Sequence, residues 1–194
     1  MVETNDRRLP VGIQSFEEIR EQGCLYVDKT DIIWQLVNKG KKYNYLSRPR
    51  RFGKSVLVDT LESYFLGKKE LFEGLKIMQL ETEWVKRPVI RLDMSRAGAE
   101  PDTLRSYLDI TFDKLEEEYG ITPKPTAKLA DRFNAIIVEA YEQTGQQVAI
   151  LIDEYDSPLQ HSWKTPHHEA CTAIYREVFA ILKADDKYEK FVFI

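Results

Sequence analysis

The stretch Tyr43 to Ser55, YNYLSRPRRFGKS, constrains the fold more than any other part of the sequence. A short apolar run stops at a basic turn with a single glycine. Lys54-Ser55 then opens a helical pattern that carries Val56, Leu57, Leu61, Tyr64 and Phe65 at helical spacing. Strand, turn, helix is the setting of a phosphate-binding loop, G-x-x-x-x-G-K-[ST]. In such a loop, backbone N–H groups and the helix dipole hold phosphates, the lysine reaches the β- and γ-phosphates, and the hydroxyl ligates Mg²⁺. Gly53, Lys54 and Ser55 fit this pattern, whereas Arg48 stands where the first glycine belongs. Taken alone, G-K-S also reads as a basic surface turn. The stretch predicted to contact phosphate is Arg48, Pro49, Arg50, Arg51, Phe52, Gly53, Lys54, Ser55 and Val56.

A phosphate loop needs an acidic partner, because Mg²⁺ prefers octahedral oxygen ligation, commonly a carboxylate or two with phosphates and water. Gln147 to Ile152 (QVAILI) is a nearly continuous apolar run, as expected of a parallel strand covered on both faces, and it ends in Asp153-Glu154. Asp153 is placed to support the Mg²⁺ shell and Glu154 to polarise an attacking water as general base. The plain alternative is a strand that ends in a charged turn. With both motifs in the right order, each after a strand, ATP and Mg²⁺ become the expected cofactors, with Ser55 and Asp153 on the metal. Asp93 closes another strand-like run, Arg87 to Met94, and reads as a cap or turn residue or as an outer support of the metal.

At 194 residues, with 43% hydrophobic and 31% charged residues, the chain has the size and balance of one globular domain with a real core. Residues 1–8 read as a mobile polar leader and 9–194 as the domain. No apolar run approaches the ~20 residues that span a bilayer, and MVETNDRRLP lacks a signal-peptide core, so a cytoplasmic location without membrane contact is expected. Cys24 and Cys171 lack metal-ligand spacing and read as two free thiols. His161, His167 and His168 read as a solvated loop in preference to a metal site. The net charge of −4 opposes a chain built to coat nucleic acid, although Arg48, Arg50, Arg51 and Lys54 form a local basic patch.

The remaining elements follow from periodicity and punctuation. Ser15 and Glu18 form a capping box for a helix from Phe16 to about Gln22, closed by Gly23. Leu25 to Thr30 reads as a short extended piece. It leads into a helix capped by Thr30, with Ile32, Ile33, Leu36 and Val37 on its apolar face and Gly40 as its stop. Further helices are predicted over Pro101–Tyr119, Ala127–Gln143 and Pro166–Lys183, with a helical turn in Lys68–Gly74 and a last strand at Phe191–Ile194. Strands alternating with helices give an α/β domain, a three-layer phosphate-loop NTPase sheet, mainly parallel, with ligands at the carboxyl ends of its strands.

YVDKT, SRPRRFGKS, ELFEGLKI, PVIRLDMS, LIDEYDSPL and FVFI together resemble the bacterial AAA-ATPase-like family from about Leu9 onward. The family's loop reads T/S-R-P-R-R-F-G-K-S, so the resemblance implies that Arg48 is a family variant. It implies Lys54 and Ser55 as nucleotide and Mg²⁺ residues, Asp153 as the second acid and Glu154 as the catalytic base. Tyr26, Asp28 and Lys29 match a signature whose role does not follow from the residues. The resemblance further implies a last strand lying between the loop strand and the Asp-Glu strand. Relatives continue past FVFI with T-G-V, a polar residue that senses the γ-phosphate, and commonly a PD-(D/E)XK nuclease-like domain. The expectation is therefore a truncated chain whose sheet is incomplete at its C-terminus.

Three functions compete at this level. The first is an ATPase in which Glu154 orients water, Lys54 and Mg²⁺ stabilise the transition state, and Arg50 and Arg51 either touch phosphate, act as arginine fingers in a homo-oligomer or are solvated. The second is a nucleotide-dependent interaction module that does not hydrolyse. The third is a nucleic-acid contact through the basic loop or through a nuclease-like domain.

Overall fold

The computed structural model describes residues 8–47, 52–122, 124, 126–184 and 186–194. The leader expected at 1–8 is thus described only at Arg8, and Pro123 and Pro125 of the linker fall outside the described residues. The chain divides into two compact units, Met1–Lys42 with Leu46–Lys86 and Tyr43–Tyr45 with Arg87–Ile194.

The second unit holds the sheet. Strands β1 (Tyr43–Asn44), β2 (Val89–Asp93), β3 (Val148–Asp153) and β4 (Glu189–Phe193) stand in the order β1-β4-β3-β2, with every pair parallel. The expected position of the last strand, between the loop strand and the Asp-Glu strand, is borne out. In register, Ile90 faces Ile150 and Ile150 faces Val192. These residues share a core with Leu92, Val148 and Ile152 on the sheet and with the apolar stripes of three helices. The helices are α4 (Pro101–Glu118), α5 (Leu129–Thr144) and α7 (His168–Phe179). All six residues of β3 are buried, which explains why its sequence shows an unbroken apolar run instead of an alternation. Tyr43 fastens the short β1. Its phenol oxygen lies 2.5 Å from the Leu182 carbonyl and 3.0 Å from Glu189 Oε2, and burial, then Glu189, pushes the phenol well up.

The first unit contains α1 (Phe16–Glu21), α2 (Thr30–Lys39) and α3 (Lys54–Phe65), followed by single 3-10 turns at Lys69–Phe72 and Lys76–Gln79. Its core is rich in rings: Phe16 packs on Phe72 at 4.9 Å and on Tyr26 at 5.0 Å, and Trp84 on Phe72 at 5.2 Å. Ser15 caps α1 through Glu18 N–H as expected, but the Glu18 carboxylate accepts from Gln22 Nε2.

Thr30 is not a cap. It is the first helical residue of α2, and Asp28 accepts its N–H at 2.9 Å and its hydroxyl at 2.7 Å. Ile32, expected on the apolar face, is 57% exposed, since one turn of α2 already meets its neighbours through Ile33 and Val37. Leu25 to Lys29 forms no strand. Instead, the other Asp28 oxygen accepts the Lys76 N–H at 2.8 Å, and Thr30 Oγ1 accepts that of Ile77 at 3.1 Å.

Two further corrections lie in the second unit. The helix expected over Pro166–Lys183 is two, α7 and α8 (Ile181–Ala184), because at Ala180 the bonding tightens and the Lys183 N–H reaches back only to the Ala180 carbonyl. A short α6 (Ser157–Ser162) occupies what reads as a loop. It places His161 Nδ1 at 2.8 Å from the Ser157 carbonyl, and His168 Nδ1 lies 3.2 Å from Ser162 Oγ. Cys24 and Cys171 are free and buried, and among the described residues no helix is long and apolar enough to cross a membrane.

Candidate functional site

β1 ends at Asn44, and the chain leaves it into the glycine-lysine-serine turn. Arg48, Pro49, Arg50 and Arg51 lie outside the described residues. Phe52 is 64% exposed, and Gly53 follows in the left-handed region with φ 74°. A Cβ built on Gly53 meets nothing within 4 Å, so this glycine is demanded by its backbone angle and not by crowding. α3 begins at the next residue, with the Leu57 N–H reaching the Gly53 carbonyl at 3.1 Å. The first N–H groups of a helix find no carbonyl within it, and the first turn of α3 carries no acidic side chain that would offset its positive end. Lys54, Ser55 and Val56 are each half-buried in that turn.

α3 is held firmly behind the turn. Val58 and Leu61 are fully buried, and Asp59 accepts the Phe16 N–H at 2.6 Å and the Ser15 hydroxyl at 3.1 Å. The sequence offers no signal for Asp59, because a carboxylate on a helix reads by default as a solvated one.

In the second unit, β3 delivers Asp153 at its carboxyl end, 4% exposed. Asp153 Oδ1 accepts the N–H of Glu154 at 2.9 Å, and Glu154 sits at φ 50°, a region that a residue with a Cβ adopts at a cost. Neighbouring bonds enforce this turn. The Glu154 carbonyl accepts the Ser157 N–H at 2.9 Å, and the Tyr155 carbonyl accepts the Tyr175 hydroxyl at 2.8 Å. The Tyr155 ring packs at 5.2 Å on Tyr175 and at 5.1 Å on Phe179. Burial pushes the Tyr175 phenol far up, which keeps it a donor across the accessible pH range.

Asp93 pairs in register with Asp153, but its own turn uses its carboxylate: Oδ1 accepts the Ser95 N–H and hydroxyl, and Oδ2 meets Arg96 Nε at 3.1 Å. It therefore behaves as the turn cap that the sequence allowed. Among the described residues no group of three or more His, Cys, Asp or Glu is gathered to hold a metal ion.

Because the sheet is parallel throughout, the carboxyl ends of β1 and β3 lie at the same edge, with β4 between them. The chain leaves β1 at one of those ends, with residues 45–52 between it and Gly53 in sequence, and the Asp153-Glu154 turn leaves from the other. In open α/β sheets this edge is where ligands bind.

Comparison with known proteins agrees with this architecture. The family model described as "Predicted AAA-ATPase" matches residues 10–194. A protein of Azotobacter chroococcum mcd 1, described as an uncharacterized protein in the vnfD 5′ region, is 35% identical over 194 residues, covering 97% of this chain and 37% of its own length. The chain thus spans little more than a third of that relative. No solved structure matches. With the match running from the residue after Leu9 through all four strands, the chain belongs to the AAA-ATPase-like family.

Proposed function

We propose that this chain binds ATP with Mg²⁺ and hydrolyses the β-γ phosphoanhydride. The observation that carries the reading is that β1 and β3 end at the same edge of one parallel sheet, β1 leading along the chain toward Gly53-Lys54-Ser55 and β3 running directly into Asp153-Glu154. The residues present suit both groups. A left-handed glycine opens a helix whose first turn has no carboxylate, which favours an anion. Ser55 and Asp153 offer the hard oxygen donors that Mg²⁺ prefers.

Lys54 reaches the β- and γ-phosphates, and the first N–H groups of α3 fix them in place. The Ser55 hydroxyl and the Asp153 carboxylate would hold Mg²⁺, which would supply neutralisation of phosphate charge. Glu154 accepts a proton from the attacking water and orients it for in-line displacement. The strained turn at Glu154 aims its side chain differently from that of a residue continuing the strand, as a water-orienting group requires. Phe52 and Val56 border the phosphates. Arg48, Pro49, Arg50 and Arg51 complete the loop, and in a homo-oligomer Arg50 and Arg51 serve the neighbouring subunit. Nucleic acid enters this reading only through the nuclease-like domain that the family resemblance implies.

ATP binding and phosphate release measured on the parent, on Lys54→Ala and on Glu154→Gln test the assignment. Lys54→Ala is expected to lose ATP affinity, and Glu154→Gln to keep affinity while losing turnover. Equal binding by Lys54→Ala and the parent would sink the loop assignment. Binding without turnover in the parent would leave a nucleotide-dependent interaction module.

A further inference from the structure

The signature YVDKT has no part in the chemistry above, yet its first side chain, Tyr26, meets Thr60 on α3. Tyr26 Oη lies 3.3 Å from Thr60 Oγ1, and Thr60 Oγ1 donates to the Val56 carbonyl at 2.7 Å. Thr60 has one hydroxyl proton and spends it on Val56, so Tyr26 must be the donor in the first contact. The result is a directed chain, Tyr26 O–H to Thr60 Oγ1–H to Val56 O, which ends on the third residue of α3, in the same helical turn as Lys54 and Ser55. Thr60 is fully buried, and each bond in such a chain strengthens the next.

Asp28 and Thr30 of the same signature tie down the chain just after Tyr26. Asp28 accepts from the Thr30 N–H and hydroxyl with one oxygen and from the Lys76 N–H with the other, while Thr30 Oγ1 accepts the Ile77 N–H. Two residues before this clip, the Tyr26 ring stands edge-on to Phe16 at 5.0 Å. Burial is the largest influence on the phenol and pushes it up, so the donor persists at any working pH.

We propose that Tyr26 and Thr60 are positioning residues for the nucleotide loop: they fix the first turn of α3, and with it the direction of Lys54, Ser55 and the helix's leading N–H groups. Asp28 and Thr30 hold Tyr26 in place. The proposal rests on the phosphate-loop reading. A hydroxyl that bonds back to the carbonyl four residues earlier competes with the helix's own bonding there, and here that carbonyl is Val56, in the turn that would grip phosphate. The signature is therefore a tensioning strut for the loop and adds no ligand of its own.

Equilibrium binding of ATP with Mg²⁺ to the full chain, together with thermal midpoints, tests this. Tyr26→Phe and Thr60→Val are each expected to weaken ATP binding about three- to tenfold, the effect of losing one hydrogen bond. Thr60→Ser keeps the hydroxyl and should bind as the parent does. The double variant Tyr26→Phe/Thr60→Val should bind no worse than Thr60→Val, because both changes cut one chain.

Lowered midpoints with unchanged ATP affinity would reduce the pair to a plain stabilising contact and overturn the proposal. Multiplying losses in the double variant would overturn it too. Lys54→Ala separates the two levels. If Lys54→Ala abolishes binding while Tyr26→Phe and Thr60→Val bind normally, only the positioning role fails. If Lys54→Ala binds as the parent does, the phosphate-loop reading falls and takes the strut with it.

Discussion

The two units satisfy their backbones by different means. In the sheet unit, β2, β3 and β4 exchange N–H and C=O groups along parallel ladders, with one shift of register at Val148-Ala149, and helices cover a largely aliphatic core. In the N-terminal unit, irregular stretches hand the same duty to individual side chains. Arg20 donates to the Leu71 and Glu73 carbonyls, Asp28 collects the Thr30 and Lys76 N–H groups, and Glu81 accepts those of Thr82 and Glu83. A buried backbone group must find a partner, so the unit with less regular structure depends more on single residues. The sheet unit should therefore fail through lost volume and the N-terminal unit through lost polar partners.

The largest effect is expected in the sheet unit. Phe133 is fully buried and stacks on Phe112 at 5.3 Å, so Phe133→Ala should cost about 3–5 kcal/mol, read from urea unfolding. A loss below about 1 kcal/mol would break the contrast at once.

Arg132 is the polar exception there. Its side chain is 10% exposed and meets Glu116, only 2% exposed, at 2.6 Å, with Asp109 and Asp113 also bonded. These bonds, that of Glu116 first, hold the guanidinium charged beyond any accessible pH. Arg132→Met strands a buried carboxylate and should cost about 3 kcal/mol, and a second change, Glu116→Leu, should recover most of it. No recovery would show that the cluster stabilises by more than pairing.

Asp28→Asn should cost about 1–3 kcal/mol at neutral pH by weakening three hydrogen bonds at once. Burial raises the Asp28 pKa, but the bonds from Thr30 and Lys76 outweigh it and leave the carboxyl below its ordinary value. Its contribution is then complete above the unfolded value of about 4 and is lost as pH falls through the lower folded one. The gap between parent and variant should close below about pH 4. A gap that persists in acid would show that the variant acts by reshaping the loop.

The smallest effect sharpens the comparison inside the sheet unit. Glu154→Gly relieves the φ of 50° and should change stability by no more than about 1 kcal/mol, and on the proposed ATPase reading it should abolish phosphate release.

What the sequence made legible follows the same division. α4 and α5 were plain because burial there follows one period, β3 because it is buried without a break, and Gly53-Lys54 and Asp153-Glu154 because turns next to helix starts and strand ends are punctuated. The α6 helix was hidden because six residues around Pro158 show no period. The break at Ala180 was hidden because Ile174, Val178, Ile181 and Leu182 keep an unbroken apolar stripe across it. The Asp28 clip was illegible for a deeper reason. It joins side chains to backbone N–H groups nearly fifty positions away, and neither composition nor spacing encodes such a bond.

The place of β4 sets an order of events in folding. Of the four strands β4 comes last in sequence, yet it lies between β1 and β3, so Tyr43 meets Val192 only after the roughly 150 residues between them are available. Contacts this distant along the sequence form late and slowly. Until β4 slots in, β1 has no neighbour in the sheet, and the turn that follows it has no fixed starting point. Nucleotide competence should thus be acquired in a single late step, and a kinetic probe on the glycine-lysine-serine turn would follow the insertion of residues 189–193.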